Sequence, residues 1–155
     1  MSAPAGTVRP DPSAGTVDEA LADPSEADVG GPELMFPVVP GEALAAARAA
    51  HDKLGQDTVV LAMGELLGVV DAFVVTSGRN VRQVRTLVEE IERQVKTDDG
   101  LSPLNIEGLK DCTWVLMDYG DFVVHVFQPE TRSYYDLEHL WAGAPRVRWE
   151  VEPAR

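Results

Sequence analysis

The sequence predicts an α/β fold, one domain with a mixed β-sheet flanked by helices, and three observations predict it. Residues 114–127 read Trp-Val-Leu-Met-Asp-Tyr-Gly-Asp-Phe-Val-Val-His-Val-Phe. Two β-branched and aromatic runs flank Gly120-Asp121, the pattern of a hairpin with a two-residue loop. Residues 71–76, Asp-Ala-Phe-Val-Val-Thr, form a near-continuous apolar run, as in a central strand covered on both faces. Between the two, Val81, Val84, Leu87, Val88, Ile91 and Val95 recur at helical spacing. Strands alternating with a helix and followed by a hairpin make a mixed sheet.

Residues 1–40 are rich in Ala, Pro, Gly, Ser, Asp and Glu, and apolar side chains are sparse before Leu34-Met35-Phe36. Such a stretch cannot bury enough surface to offset its ordering entropy. It is expected to be a disordered acidic N-terminal tail, with Leu34-Met35-Phe36 as a candidate docking peptide. The domain is expected over 41–142, with 143–155 as a C-terminal extension that packs through Val147 and Trp149. Within the domain, Glu42 to Leu54 is an alanine-rich helix, with Glu42 favourable at its start and Gly55 ending it. Its expected apolar stripe is Leu44, Ala47 and Leu54, with Ala50 or His51 between. Thr58–Ala62 reads as a short strand and Gly64–Gly68 as a turn or single helical turn. Asn80 is the expected N-cap of the amphipathic helix. Leu104–Ile106 reads as an edge strand opened by Pro103. Pro129 suits the first turn of a helix running to Trp141, with Tyr134, Leu137 and Trp141 on one face; the alternative is an extended stretch through Tyr134-Tyr135 with a shorter helix after it.

With a two-residue loop, directly opposed residues of the hairpin share a face. Val115, Met117, Tyr119, Phe122, Val124 and Val126 then form a wholly apolar face that must pack on helices. Trp114, Leu116, Asp118, Val123, His125 and Phe127 form a mixed face, with a charge and a titratable ring among large apolar groups. A surface of that kind suits a protein partner better than water.

The formal charge is -13 over 155 residues. Residues 1–40 hold seven acids against Arg9, and the remainder is acidic too. That balance gives no general attraction to nucleic-acid phosphates and favours basic protein surfaces. Cys112 is the single cysteine, so no intrachain disulfide forms and C-x-x-C metal spacing is absent. No apolar run approaches the roughly 18 residues that span a bilayer, and the N-terminus lacks a signal pattern. The expectation is a soluble, cytoplasmic protein.

Chemistry is thin. Asp118 and His125 lie diagonally on one hairpin face, two-thirds of a hydrolase triad, but no nucleophile accompanies them. A structural or interfacial ion pair is the expectation. Asp118 and Asp121 flank the hairpin turn, and the alternative function is a Mg²⁺-dependent enzyme holding its ion there. His51, His125 and His139 show no metal-ligand spacing. Arg79, Arg82 and Arg85 read as a solvated helix face, and a nucleic-acid binder using the Arg82/Arg85 helix is a second alternative. No catalytic residue, metal or cofactor is expected.

Several stretches together resemble the ribosome silencing factor family, also called Iojap-related. They are Asp71–Gly78, Arg82-Gln-Val84, Glu107-Gly108, Trp114–Val126 and Arg132-Ser-Tyr-Tyr-Asp-Leu-Glu-His-Leu-Trp141. The pattern W-x-x-x-D-x-G-D-x-x-V-H followed by R-x-x-Y-x-L-E-x-L-W is specific, and the resemblance covers about 42–141. It implies a nucleotidyltransferase-like α/β domain without the Gly-Ser and Asp-x-Asp pattern of those enzymes. It implies binding to the large ribosomal subunit through ribosomal protein fourteen. Steric occlusion of the small subunit would then repress translation, with no enzymatic activity. Gln83 stands where many members have His. On this reading the mixed face binds the ribosomal partner, Trp114 as aromatic anchor and Asp118 meeting a Lys or Arg. A homodimer is a further expectation, because an empty apolar docking face self-associates.

Overall fold

The computed structural model describes residues 38–150. The tail expectation, including Leu34-Met35-Phe36, thus lies outside the described residues up to Pro37. In chain order the elements are α1 (Gly41–Asp52), β1 (Gln56–Ala62), α2 (Gly64–Leu67), β2 (Ala72–Ser77), α3 (Val81–Asp99), β3 (Asn105–Glu107), β4 (Trp114–Asp118), β5 (Phe122–Phe127), α4 (Pro129–Tyr135) and α5 (Leu137–Leu140). The five strands form one sheet in the order β1-β2-β5-β4-β3. Only the β2–β5 pair is parallel, so the sheet is mixed, as the sequence predicts. None of the described helices is long and apolar enough to cross a membrane.

The hairpin has the expected register. Val115 opposes Val126, Met117 opposes Val124, and Leu116 opposes His125. The Tyr119 N–H donates to Phe122 O at 2.9 Å across the two-residue loop. Gly120 takes φ 93°, the positive angle that the first position of a type II′ turn requires. All six residues assigned to the apolar face are buried. They join one core layer with α1 and α3. In α3 the stripe is buried from Val84 to Val95, while Val81 is 43% exposed. The Asn80 side chain accepts from the Gln83 N–H at 2.9 Å, as an N-cap does. The Gln83 amide in turn donates to Lys53 O and Leu54 O, binding the end of α1 to the start of α3.

Helix α1 meets expectation at Ala47 and Ala50, which are buried, and at Leu44, which packs half-buried on the core, but not at Leu54. Its buried residues are Ala43, Ala45, Ala46, Ala47, Ala49 and Ala50, whereas Leu54 is 72% exposed. Small side chains let this helix approach the sheet and α3 closely, and a bulky stripe would hold it away. Nor does Gly55 supply a left-handed cap, because Leu54 takes the positive φ of 65°. Gly55 is needed for space. A Cβ there would lie 2.5 Å from Thr76 Oγ1 and 3.0 Å from Ala50 O, and Thr76 Oγ1 is itself bonded to Thr58 Oγ1 at 2.8 Å. Gly55→Ala is expected to lower stability by about 2 kcal/mol, read by thermal denaturation.

The C-terminal region also departs from a single helix. Asp136 adopts φ 50° and separates α4 from α5. Beyond α5 the chain returns along the outer edge of β1. Ala62 N–H donates to Pro145 O at 2.8 Å and Val147 N–H to Val60 O at 2.9 Å, and an isolated antiparallel bridge joins Leu61 to Arg146. That pairing covers an edge that would otherwise expose its backbone groups. Trp149 then enters the core layer on the α1 side, with Nε1 donating to Thr58 O at 3.0 Å. The expected packing of Val147 and Trp149 is present.

Candidate functional site

The mixed hairpin face looks away from α1 and α3, and the C-terminal elements cover part of it. Leu137, Ala144 and Trp141 pack there with Phe73, Val75, Val123 and Phe127. Burial divides the six predicted site residues. Val123, His125 and Phe127 are buried, because β5 lies inside the sheet. Trp114, Leu116 and Asp118, on β4 nearer the edge, keep partial exposure. The open portion of the face is therefore its β4 side.

Trp114 does not stand free. Its ring lies 4.9 Å from Phe127, stacked, and 4.7 Å from Tyr135, tilted. Tyr135 on α4 is 50% exposed and Tyr134 is 80% exposed, and the two rings meet edge-on at 5.0 Å. The exposed aromatic surface thus runs from Trp114 through Tyr135 to Tyr134. The sequence reading gives neither tyrosine a binding role and puts Tyr134 on one face of a helix with Leu137 and Trp141. The break at Asp136 re-aims it. The sequence signal for them is only that two tyrosines stand side by side, and neither is buried. Carboxylates flank this surface in the chain, with Asp118 closing β4, Glu130 on α4 and Asp136 just past its end, the last two exposed.

The ion pair expected between Asp118 and His125 is absent. The two residues are diagonal neighbours as expected, Asp118 opposing Val123 and Leu116 opposing His125, but their side chains bond elsewhere. The Asp118 carboxylate accepts from Gly120 N–H at 2.8 Å, bracing the turn. The His125 Nδ1 accepts from Trp114 Nε1 at 3.1 Å. Burial pushes the His125 pKa from 6.5 down to about 4, since a low-dielectric interior disfavours the charged ring. With Nδ1 accepting, the proton of the neutral ring resides on Nε2, which is buried and has no hydrogen-bond partner. An orphaned donor of this kind costs about 1–3 kcal/mol. Phe73 lies edge-on to the imidazole at 4.6 Å.

A second polar assembly supports the same face. Arg132 on α4 is buried. Its Nε and Nη2 donate to the two carboxylate oxygens of Glu138 at 3.1 and 2.6 Å. Its Nη1 donates to Gln56 O at 3.1 Å and Ser77 Oγ at 2.8 Å, and its Nη2 to Asp57 O at 2.6 Å. The register of β1 slips against β2 between Gln56 and Val59, and Asp57 takes φ 50°. The guanidinium thus receives the carbonyls that this bulge turns out of the ladder. The bidentate bond from Arg132 holds the Glu138 carboxyl below the usual carboxylate range. These bonds tie α4, which carries both tyrosines, to the ends of β1 and β2.

The other candidates are dispersed. Asp121 is exposed at the hairpin tip. Among the described residues no three His, Cys, Asp or Glu side chains gather as a metal site. Cys112 is buried, with its thiol on Leu109 O at 3.2 Å. Arg82 and Arg85 lie exposed on α3.

Residues 38–155 match the family model described as "Ribosomal silencing factor during starvation". A ribosomal silencing factor of Bacillus subtilis is 41% identical over 100 residues, covering 64% of this chain and 84% of that protein. One from Halalkalibacterium halodurans is 37% identical over 105 residues, covering 68% and 89%. A crystal structure of a Chromobacterium violaceum protein superimposes with a TM-score of 0.64 at 31% identity, covering 76% of this chain and 97% of that one. The matched segment holds the hairpin, both tyrosines and the Arg132 assembly, and it includes the edge-covering return past Trp141. The chain belongs to the ribosomal silencing factor family.

Proposed function

We propose that this protein binds the large ribosomal subunit through ribosomal protein fourteen and prevents the small subunit from joining. It thereby represses translation in the cytoplasm by occlusion and not by catalysis. The observation that carries this reading is the family match across residues 38–155. The surface chemistry agrees with a basic protein partner. Trp114, Tyr135 and Tyr134 offer aromatic area of the kind enriched in binding hot spots, and Asp118, Glu130 and Asp136 offer charge to Lys and Arg. In this proposal Trp114, Leu116 and Asp118 touch the partner, while Val123, His125 and Phe127 support them from beneath. The same surface serves a homodimer when no ribosome occupies it.

Co-sedimentation with purified large subunits, followed by addition of small subunits, tests the proposal. The chain should pellet with large subunits and reduce the joined fraction. Tyr135→Ala, which removes an exposed ring without opening the core, should weaken binding by about 2 kcal/mol. Absence of large-subunit binding, or binding with undiminished joining, would overturn the proposal.

A further inference from the structure

We infer that His125, which is buried and touches no partner, is the positioning residue that fixes the pose of the aromatic surface. The inference rests on the proposed function for its ribosomal readout, and on geometry for the rest. The chain of contacts is continuous. His125 Nδ1 holds the Trp114 indole N–H at 3.1 Å. The indole sits 4.7 Å from Tyr135, and Tyr135 sits 5.0 Å from Tyr134. Exposure rises along that path from 4% at His125 to 80% at Tyr134.

The chemistry of the imidazole points the same way. An apolar side chain of similar size would fill this place among Phe73, Trp114 and Phe127 and would avoid the unpartnered Nε2 that His125 leaves, but it would strand the Trp114 indole N–H instead. What the imidazole supplies and a hydrocarbon lacks is an acceptor for the indole N–H. That bond fixes the rotation of the Trp114 ring about its own side chain, which ring stacking alone leaves free to slide. It also determines how the surface recognises a partner. The indole N–H is directed inward, so Trp114 offers ring area and no donor. The partner chemistry that fits is a Lys or Arg whose stem lies on the rings and whose charge meets their electron-rich faces. A backbone carbonyl seeking an indole donor does not fit.

The test uses the ¹⁵N-labelled full chain. Long-range ¹H–¹⁵N correlation should show His125 as the Nε2–H tautomer, and the Trp114 indole N–H should carry the shift of a bonded donor. His125→Leu removes the acceptor. His125→Asn restores one, because its side-chain oxygen falls near the place of Nδ1. The indole signal should move in His125→Leu and return toward its position in His125→Asn. Affinity for purified large subunits should fall about tenfold in His125→Leu and recover in His125→Asn. An Nδ1–H tautomer in the unsubstituted chain overturns the inference even if His125→Leu fails to fold. Equal subunit affinity of folded His125→Leu overturns it as well. Failure of the unsubstituted chain to bind subunits would defeat the proposed function alone. The tautomer and indole readings would still decide whether His125 sets the pose.

Discussion

Replacing Arg132 with methionine is expected to destabilise the domain by about 3 kcal/mol or more, the range for breaking one side of a buried ion pair. Methionine keeps much of the stem's packing, so the loss isolates the guanidinium. Arg132 spends all five of its N–H donors on Glu138, Gln56 O, Asp57 O and Ser77 Oγ. Without it, two carbonyls at the β1 bulge and the Glu138 carboxylate lose their partner together. Arg132→Lys should recover only part of the loss, because an ammonium cannot form the planar fork to the carboxylate while reaching Gln56 and Asp57. Glu138→Gln should cost less, about 1 kcal/mol, since the Glu138 side chain is 21% exposed and water replaces part of what it loses. Urea denaturation followed by tryptophan fluorescence measures all three. A loss below about 1 kcal/mol for Arg132→Met would show that the bulge is held by the strand ladder alone.

That assembly is not legible in the sequence. Arg132 and Glu138 are both in the stretch that carries the family resemblance, yet six residues apart on a continuous α-helix they would lie on different faces, about 9 Å apart along its axis. The left-handed Asp136 brings them together, and no local pattern announces a left-handed aspartate within an otherwise helical run. The hairpin, by contrast, was legible. A two-residue loop fixes register, register fixes the faces, and all six residues of the apolar face are buried. The central position of β2 was legible because a strand covered on both faces needs no polar alternation, and every residue of β2 is buried. For α1 the composition names the element and places Leu44, Ala47 and Ala50 on the core side, but an alanine stripe carries little hydrophobic contrast and does not show that Leu54 falls outside it. The candidate site was half legible. Side-chain alternation sorted the six residues onto one face, but whether a face is open depends on segments distant in sequence. Here α5 and the return through Ala144 cover β5 and leave β4 accessible. The partner of His125 was misassigned for a related reason. Asp118 and His125 are diagonal neighbours, and charge suggested pairing. The indole N–H of Trp114 reached the ring instead, and in a buried setting a neutral bond prevails over an ion pair whose desolvation it avoids.

Acidification should reveal that neutral bond as a stability change. Between pH 6.5 and about 4 the domain is expected to lose about 3 kcal/mol through His125 alone. The sign follows from proton binding. In the unfolded chain His125 takes up a proton near pH 6.5, whereas in the folded domain burial defers protonation to about pH 4. Within that window the unfolded state holds more protons, so stability rises with pH. The contribution is complete above pH 6.5, declines as pH falls and is gone below about pH 4. Urea denaturation from pH 7.5 to 3.5, run in parallel on His125→Asn, isolates it, because asparagine does not titrate. The depressed Glu138 carboxyl acts with the same sign, losing its contribution as pH falls below the ordinary carboxylate range. It is present in both proteins and cancels in the difference. Identical pH dependence of the two proteins would mean that His125 takes up its proton in the folded domain at the same pH as in the unfolded chain, contrary to its burial at 4% exposure. A larger loss in the unsubstituted chain would instead carry a structural consequence. A protonated imidazole has donors at both nitrogens, so Nδ1 can no longer accept from the Trp114 indole. The acid limb of the stability curve and the release of Trp114 are then one event, and its midpoint in the folded domain should be the same whether read by denaturation or by the indole N–H signal.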